Sequence, residues 1–181
     1  MNITREQIGA IMPYAKQRAD QYVPWLNRYM PEFGIATPLQ AAMFLAQLAH
    51  ESGEFRYVRE LASGQDYDTG AKAKALGNTP EADGDGQRFK GHGLIQITGK
   101  KNHAACGLAL GIDLIAHPEQ LEAPQWAVAS ACWFWQANGL GLLADKGDLY
   151  AVTRRINGGL NGIAERAKYY ARAKTALGVK A

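Results

Sequence analysis

The chain has 181 residues, 47% hydrophobic and 20% charged, proportions of an ordinary globular domain that exclude a disordered or fibrous polypeptide. A formal net charge of +3 with an isoelectric point near 8.8 suits an anionic polymer but falls short of a nucleic-acid-binding footprint. The two cysteines, Cys106 and Cys132, stand far apart without ligand spacing, so two reduced, buried thiols are expected and a zinc site is not.

The N-terminal stretch MNITREQIGAIMPYAKQ has no continuous apolar core of a signal peptide, and no segment approaches the roughly 18 apolar residues of a membrane span. A protein made in the cytoplasm, without stable membrane insertion, is expected. Thr4-Arg5-Glu6-Gln7 is a capping box, and Ile8, Ile11, Met12 and Ala15 follow at helical spacing. Pro24 and Pro31 punctuate a Tyr/Trp/Leu-rich stretch. Thr37-Pro38-Leu39-Gln40 is a second capping box with proline at N1, which predicts a strong helix from Pro38. Residues 1–37 should form a helical part packed onto the rest.

From 63 to 93 the chain is glycine-rich, with a DGDG run and no sustained apolar period, which predicts loop with at most short hairpin strands. The DGDG run fails the calcium-loop pattern because Gln87 stands at the third ligand position, so no metal is assigned. Leu94–Thr98 is a short apolar segment ended by Gly99. Between Pro124 and Asn138 apolar residues fall on nearly every face, which predicts a central helix with Trp133-Phe134-Trp135 in the core. A last helix, 163–177, carries Arg166, Tyr169 and Tyr170 after the turn Asn157-Gly158-Gly159-Leu160-Asn161-Gly162. The pattern is that of one mainly helical domain, 1–181, with a small irregular or β-hairpin lobe.

On the helix from Pro38, positions 41, 44, 45 and 48 form an apolar stripe that Glu51 continues. A carboxyl against apolar neighbours loses solvation of its charged form, so its pKa should rise, as a general acid requires. The plainer alternative is a surface carboxylate or one paired with an arginine. Glu60 stands nine residues on; along one helix that is about half a revolution and roughly 13 Å of rise, too far to share a site. Gly53 and the strand-prone Phe55-Arg56-Tyr57-Val58 allow the chain to turn back, and two carboxylates about 6.5–9.5 Å apart across a groove are the arrangement of an inverting glycosidase.

His50-Glu51-Ser52-Gly53, Glu60, the run Gly91-His92-Gly93-Leu94-Ile95-Gln96-Ile97-Thr98-Gly99-Lys100-Lys101-Asn102, and Arg155-Ile156-Asn157-Gly158-Gly159 with Arg166 and Tyr169-Tyr170 together resemble the ordered motifs of family 19 glycoside hydrolases. The resemblance spans about 38–177. Without the cysteine framework of the plant chitinases, it is nearest to bacteriophage endolysins and bacterial lysozymes. It implies a lysozyme-like, two-lobed helical fold with a substrate cleft, one catalytic domain without a separate wall-binding domain, and no cofactor. By motif position Glu51 is the general acid and Glu60 the general base, Thr98 and Asn102 orient the water, Gln96 contacts the sugar, and Asn157, Arg166 and His50 complete the site.

Each residue also has a plain reading. Gln96 and Thr98 could be the solvent face of a short strand, Asn157 a turn residue, Arg166 a surface charge, and His50 a buried hydrogen-bonding support. His92, His103 and Glu54 depart from the family pattern, which has arginine, tyrosine and a second glycine there. Glu54, Asp66 and Asp68 are rival carboxylates for the base. The activity expected is that of an endolysin-type muramidase, a monomer cutting MurNAc–GlcNAc bonds of bacterial peptidoglycan by inversion once the inner membrane is opened. The alternatives are a chitinase, a lytic transglycosylase and a non-catalytic glycan-binding protein.

Overall fold

The computed structural model describes residues 2–179. They fall into two compact units, one built from the described parts of 1–56 and 132–181, the other from 57–131. The α-helices in chain order are α1 (Arg5–Ile11), α2 (Ala19–Glu32), α3 (Pro38–Glu51), α4 (Gly70–Leu76), α5 (Asp85–Arg88), α6 (Lys100–Leu110), α7 (Pro124–Ala137), α8 (Leu140–Ala144), α9 (Leu149–Asn157) and α10 (Ile163–Ala176).

In the first unit both expected capping boxes form. Thr4 and Gln7 close the start of α1, and Thr37 and Gln40, with Pro38 at N1, close that of α3. The ten residues from Gln40 to Ala49 are all buried, so α3 is the central helix of this unit. It packs mainly on α10, whose Arg166, Tyr169, Tyr170 and Ala173 repeat at i, i+3, i+4 and i+7 and are all buried. The centre had been expected at 124–138. In α7, however, Trp126, Trp133 and Phe134 are only half-buried, while Ala127–Cys132 and Trp135 are covered. Pro24 and Pro31 lie inside α2 instead of interrupting it. Each removes one backbone N–H, and the buried stripe Tyr22, Leu26, Tyr29 and Met30 supplies the packing that holds the helix.

The second unit is built from short helices joined by irregular chain, where loop with at most short hairpin strands is expected from the sequence. Its only β pairing among the described residues is two isolated bridges, Arg59 with His92 and His92 with Ile97. The glycine richness has a steric cause. A Cβ on Gly86 would lie 2.4 Å from the Asp68 amide nitrogen, and one on Gly64 would lie 2.5 Å from the Gly86 carbonyl, so the loop at 64–68 and the start of α5 pass each other backbone to backbone. Asp68 pins the approach, its Oδ1 accepting from the Gly84 and Gly86 amides at 3.0 and 2.9 Å. The DGDG carboxylates also serve the loop: Asp85 accepts from Lys100 Nζ at 2.9 Å, and Asp83 from the Thr79 hydroxyl. Cys106 and Cys132 are both free and buried, and burial pushes the Cys106 thiol up to about 12. No helix among the described residues is long and apolar enough to cross a membrane.

Candidate active site

Glu51 ends α3 beyond a stripe in which Ala41, Phe44, Leu45 and Leu48 are all buried. The carboxyl itself meets a guanidinium. Its Oε1 accepts from Arg166 Nη2 at 2.6 Å, with the Glu51 side chain 19% exposed and that of Arg166 1% exposed. The apolar-surroundings expectation is thereby corrected, because α10 brings a guanidinium to the open end of the stripe. Arg166 also donates from Nη1 to Gln47 Oε1 at 2.5 Å and from Nε to the Asn161 carbonyl at 3.3 Å, and Gln47 Nε2 reaches Thr153 Oγ1 at 3.5 Å. A buried cation needs such acceptors on every side. The plain reading of Arg166 as a surface charge is wrong.

His50 packs under the turn that leads into α10. Its Nδ1 lies 2.5 Å from Glu165 Oε2, and a Cβ on Gly162 (φ +72°) would come within 2.2 Å of its Cε1. Only glycine gives that turn both the left-handed backbone and the room for the ring. Asn157 is exposed and both ends of its amide serve the same turn, Oδ1 accepting from Gly159 N at 2.8 Å and Nδ2 donating to the Asn161 carbonyl at 3.1 Å. That carbonyl also receives Arg166, so Asn157 bears on Glu51 only through Arg166.

Glu54 and Phe55, with φ of 60° and 65°, are non-glycine residues in the left-handed region, where glycine is the comfortable choice. Glu54 is held there by its side chain, Oε2 accepting from the Tyr14 amide at 2.5 Å and Oε1 from the Tyr169 hydroxyl at 2.8 Å. Burial and then the Glu54 bond push the Tyr169 phenol far above its usual range.

In the second unit Glu60 is fastened at both oxygens. Oε1 accepts from the Tyr67 hydroxyl and Oε2 from the Gly91 amide, each at 2.9 Å, while the Glu60 amide donates to the Gly91 carbonyl at 2.8 Å. Each oxygen keeps a second lone pair. Burial and then Glu60 push the Tyr67 phenol upward. Beside the pair lies a pocket of about 110 Å³ lined by Glu60, Ser63, Gln65, Asp66 and Tyr67.

The segment after Gly91 is a tight turn, not a strand with an exposed face. His92 and Ile97 exchange two backbone hydrogen bonds, and Gln96 between them has φ 58°. Gln96 Nε2 turns back to the Gly93 carbonyl at 2.8 Å, the Thr98 hydroxyl donates to the Gln96 carbonyl at 3.0 Å, and Asn102 Nδ2 donates to the Thr98 carbonyl at 2.7 Å. Gln96, Thr98 and Asn102 are thus chained to one turn. Sequence reasoning did not find the packing partner behind it. His103 Nδ1 lies 2.9 Å from the Gly99 carbonyl, which can only accept, so Nε2 is the acceptor for His92 Nδ1 at 3.1 Å. Burial holds both imidazoles down, His92 to about 4. The only hint in the sequence was that His92 and His103 both depart from the family pattern.

Residues 36–141 match the family of class I chitinases, glycoside hydrolase family 19. That span holds His50, Glu51, Glu60, Gln96, Thr98 and Asn102, and Asn157 and Arg166 lie beyond it. The chain is 34% identical to a glycosyl hydrolase family 19 domain-containing protein of Haemophilus influenzae over 94% of each chain. It is 37% identical to an endochitinase of Arabidopsis thaliana over 81% of this chain, spanning 50% of the plant protein. Among solved structures, a bacterial family 19 chitinase superposes with a TM-score of 0.78 at 22% identity, covering 98% of this chain and 96% of that one. The class IV chitinase of Zea mays gives 0.66 at 26% identity, over 99% and 83%. Fold and sequence together define a chitinase-like glycoside hydrolase with the mainly helical, lysozyme-like fold. The chain belongs to glycoside hydrolase family 19.

Proposed function

We propose that the chain is a muramidase that hydrolyses the β-1,4 bonds between MurNAc and GlcNAc in bacterial peptidoglycan with inversion, Glu51 acting as general acid and Glu60 as general base. Glu51, which pairs with Arg166 as the carboxylate, first takes up a proton and then gives it to the glycosidic oxygen as the bond breaks. Glu60 takes one from the water that attacks the anomeric carbon from the opposite face. The observation that carries the assignment is how the five carboxylates between 51 and 68 are used. Glu54 and Asp68 are buried and occupied by amide and phenol donors, whereas Glu51 and Glu60 are half-buried, oriented by fixed partners and accessible. Asp66 is exposed. Thr98 and Asn102 would orient the water, Gln96 would contact the sugar, and Arg166, with His50 and Asn157 behind it, would position Glu51.

What supports peptidoglycan as the substrate is the resemblance of the ordered motifs to endolysins, together with two cysteines that are free thiols where plant chitinases have a cysteine framework. Chitin is the second reading, supported by the endochitinase names of the plant relatives. Reducing-end release from purified peptidoglycan and from chitin, followed by mass spectrometry, separates the two. Faster release from chitin would overturn the wall reading, and anhydro-sugar ends would replace hydrolysis by transglycosylation. Glu51→Gln and Glu60→Gln should each lower turnover by about 10²–10⁴-fold. An Asp66→Asn protein that is inactive beside an active Glu60→Gln protein would move the base to Asp66.

A further inference from the structure

Gly53, Glu54 and Phe55 are left-handed in succession, with φ of 55°, 60° and 65°. The first of them closes α3. The Gly53 amide donates to the His50 carbonyl at 3.3 Å and the Glu54 amide to the Ala49 carbonyl at 2.8 Å, a Schellman cap with glycine in its left-handed position. Such a cap needs one left-handed residue. Glu54 and Phe55 add two more, each against the steric preference that glycine escapes. Phe55 is 1% exposed, with its ring centroid 4.6 Å from that of Tyr22, so the chain beyond Glu54 is fixed in the core. A right-handed Glu54 would therefore have to draw its own amide off Ala49 and fray the turn that carries Glu51.

Arg18 opposes that change. Its Nη2 donates to the Glu54 carbonyl at 3.1 Å and to the Tyr14 carbonyl at 2.7 Å, and the Tyr14 amide is the donor to Glu54 Oε2. One nitrogen thus joins the backbone of Glu54 to the residue that holds its side chain. The guanidinium keeps this place although its buried Nε–H has no hydrogen-bond partner among the described residues, an arrangement that calls for a reason beyond the comfort of Arg18 itself. We infer that Arg18 is a positioning residue for the proposed hydrolysis: it locks the turn after Glu51 in its left-handed form, so that the acid keeps the aim set by the last turn of α3. Glycine at 54 would take the same form unaided, which separates this role from ordinary packing. The inference rests on Glu51 being the general acid.

The test is a double-mutant cycle of Arg18→Met and Glu54→Gly. It reads kcat and KM on solubilised peptidoglycan and on a soluble chitin oligomer, and hydrogen exchange of the residue-54 amide in proton–nitrogen spectra. Arg18→Met alone should lower kcat about tenfold with KM within about twofold, since a displacement of about 1 Å at a catalytic group costs up to about 10²-fold. It should also speed exchange of that amide about tenfold, the worth of one bond to a charged group. In the Glu54→Gly background the same replacement should change either quantity by less than about threefold. Glu54→Asn, which also tolerates left-handed backbone, stands in for the glycine protein, and Arg18→Lys for the methionine protein, should one of them fail to fold. An unchanged kcat in Arg18→Met, a raised KM with kcat kept, or equal losses in the two backgrounds overturns the positioning role. A parent that cleaves neither glycan removes the proposed activity, and the exchange cycle then decides the lock by itself: it stands if exchange quickens only with Glu54 present and falls if exchange is unmoved or quickens equally in both backgrounds.

Discussion

Replacing Arg166 by methionine keeps most of the aliphatic volume and strands the Glu51 carboxylate. Breaking a buried ion pair from one side costs about 3–5 kcal/mol. Because Glu51 is 19% exposed, water recovers part of that cost and the lower end, about 3 kcal/mol, is expected. For a chain of this length 1 kcal/mol shifts Tm by about 2–4 °C, so the midpoint should fall by about 6–12 °C in a thermal melt followed by circular dichroism at pH 7. In a Glu51→Gln background the buried Arg166 is itself the unpaired charge, so the same replacement should cost far less, the lost bonds to Gln47 and Asn161 being offset by removal of that cation. A fall below about 2 °C, or equal falls in the two backgrounds, would refute the view that Arg166 is held chiefly by Glu51.

Tyr67→Phe removes the partner of Glu60 Oε1 and leaves Gly91 on Oε2; kcat should drop about tenfold, the worth of one such bond, with KM nearly unchanged, and an unaltered kcat would show that Glu60 needs no such orientation. Gly162→Ala combines a left-handed backbone with a Cβ 2.2 Å from the His50 ring and should cost about 2 kcal/mol or more; a melt within 1 °C of the parent would contradict the tight fit. The buried His92 titrates near 4 in the fold and near 6.5 in the unfolded chain. Between those values the unfolded state binds the extra proton, so this stability is complete above about 6.5 and is lost as pH falls toward 4, by about 3 kcal/mol in all. Urea unfolding at pH 7, 5.5 and 4 measures the loss, which His92→Asn should largely remove, and an equal loss in that variant would assign it to other groups.

Local rules made the helix starts legible. Thr4/Gln7 and Thr37/Gln40 lie three residues apart and satisfy their own first turns, so their geometry needs no knowledge of the rest of the chain. The Ile163 helix was readable for a similar reason, its buried positions recurring at helical spacing. Arg166 was named as a site residue by its motif position, but its burial was not readable, because what makes it a buried cation is Gln47 and Glu51, 119 and 115 residues away in sequence. The turn at Gln96 escaped detection because five apolar-alternating residues carry no signal for a left-handed glutamine held by its own side chain. The family motifs pointed to Glu51 and Glu60, but the identity of their partners, Arg166 for one and Tyr67 with Gly91 for the other, comes from tertiary packing.

Glu54 gives the molecule a dependence that neither terminus advertises. The residue that follows the Glu51 turn is anchored to the amide of Tyr14, near the beginning of the chain, and to the hydroxyl of Tyr169, near its end. Deleting the first fifteen residues, which contain no proposed catalytic group, would loosen a backbone conformation that Glu54 adopts only under restraint, and the slackening would begin three residues from the acid.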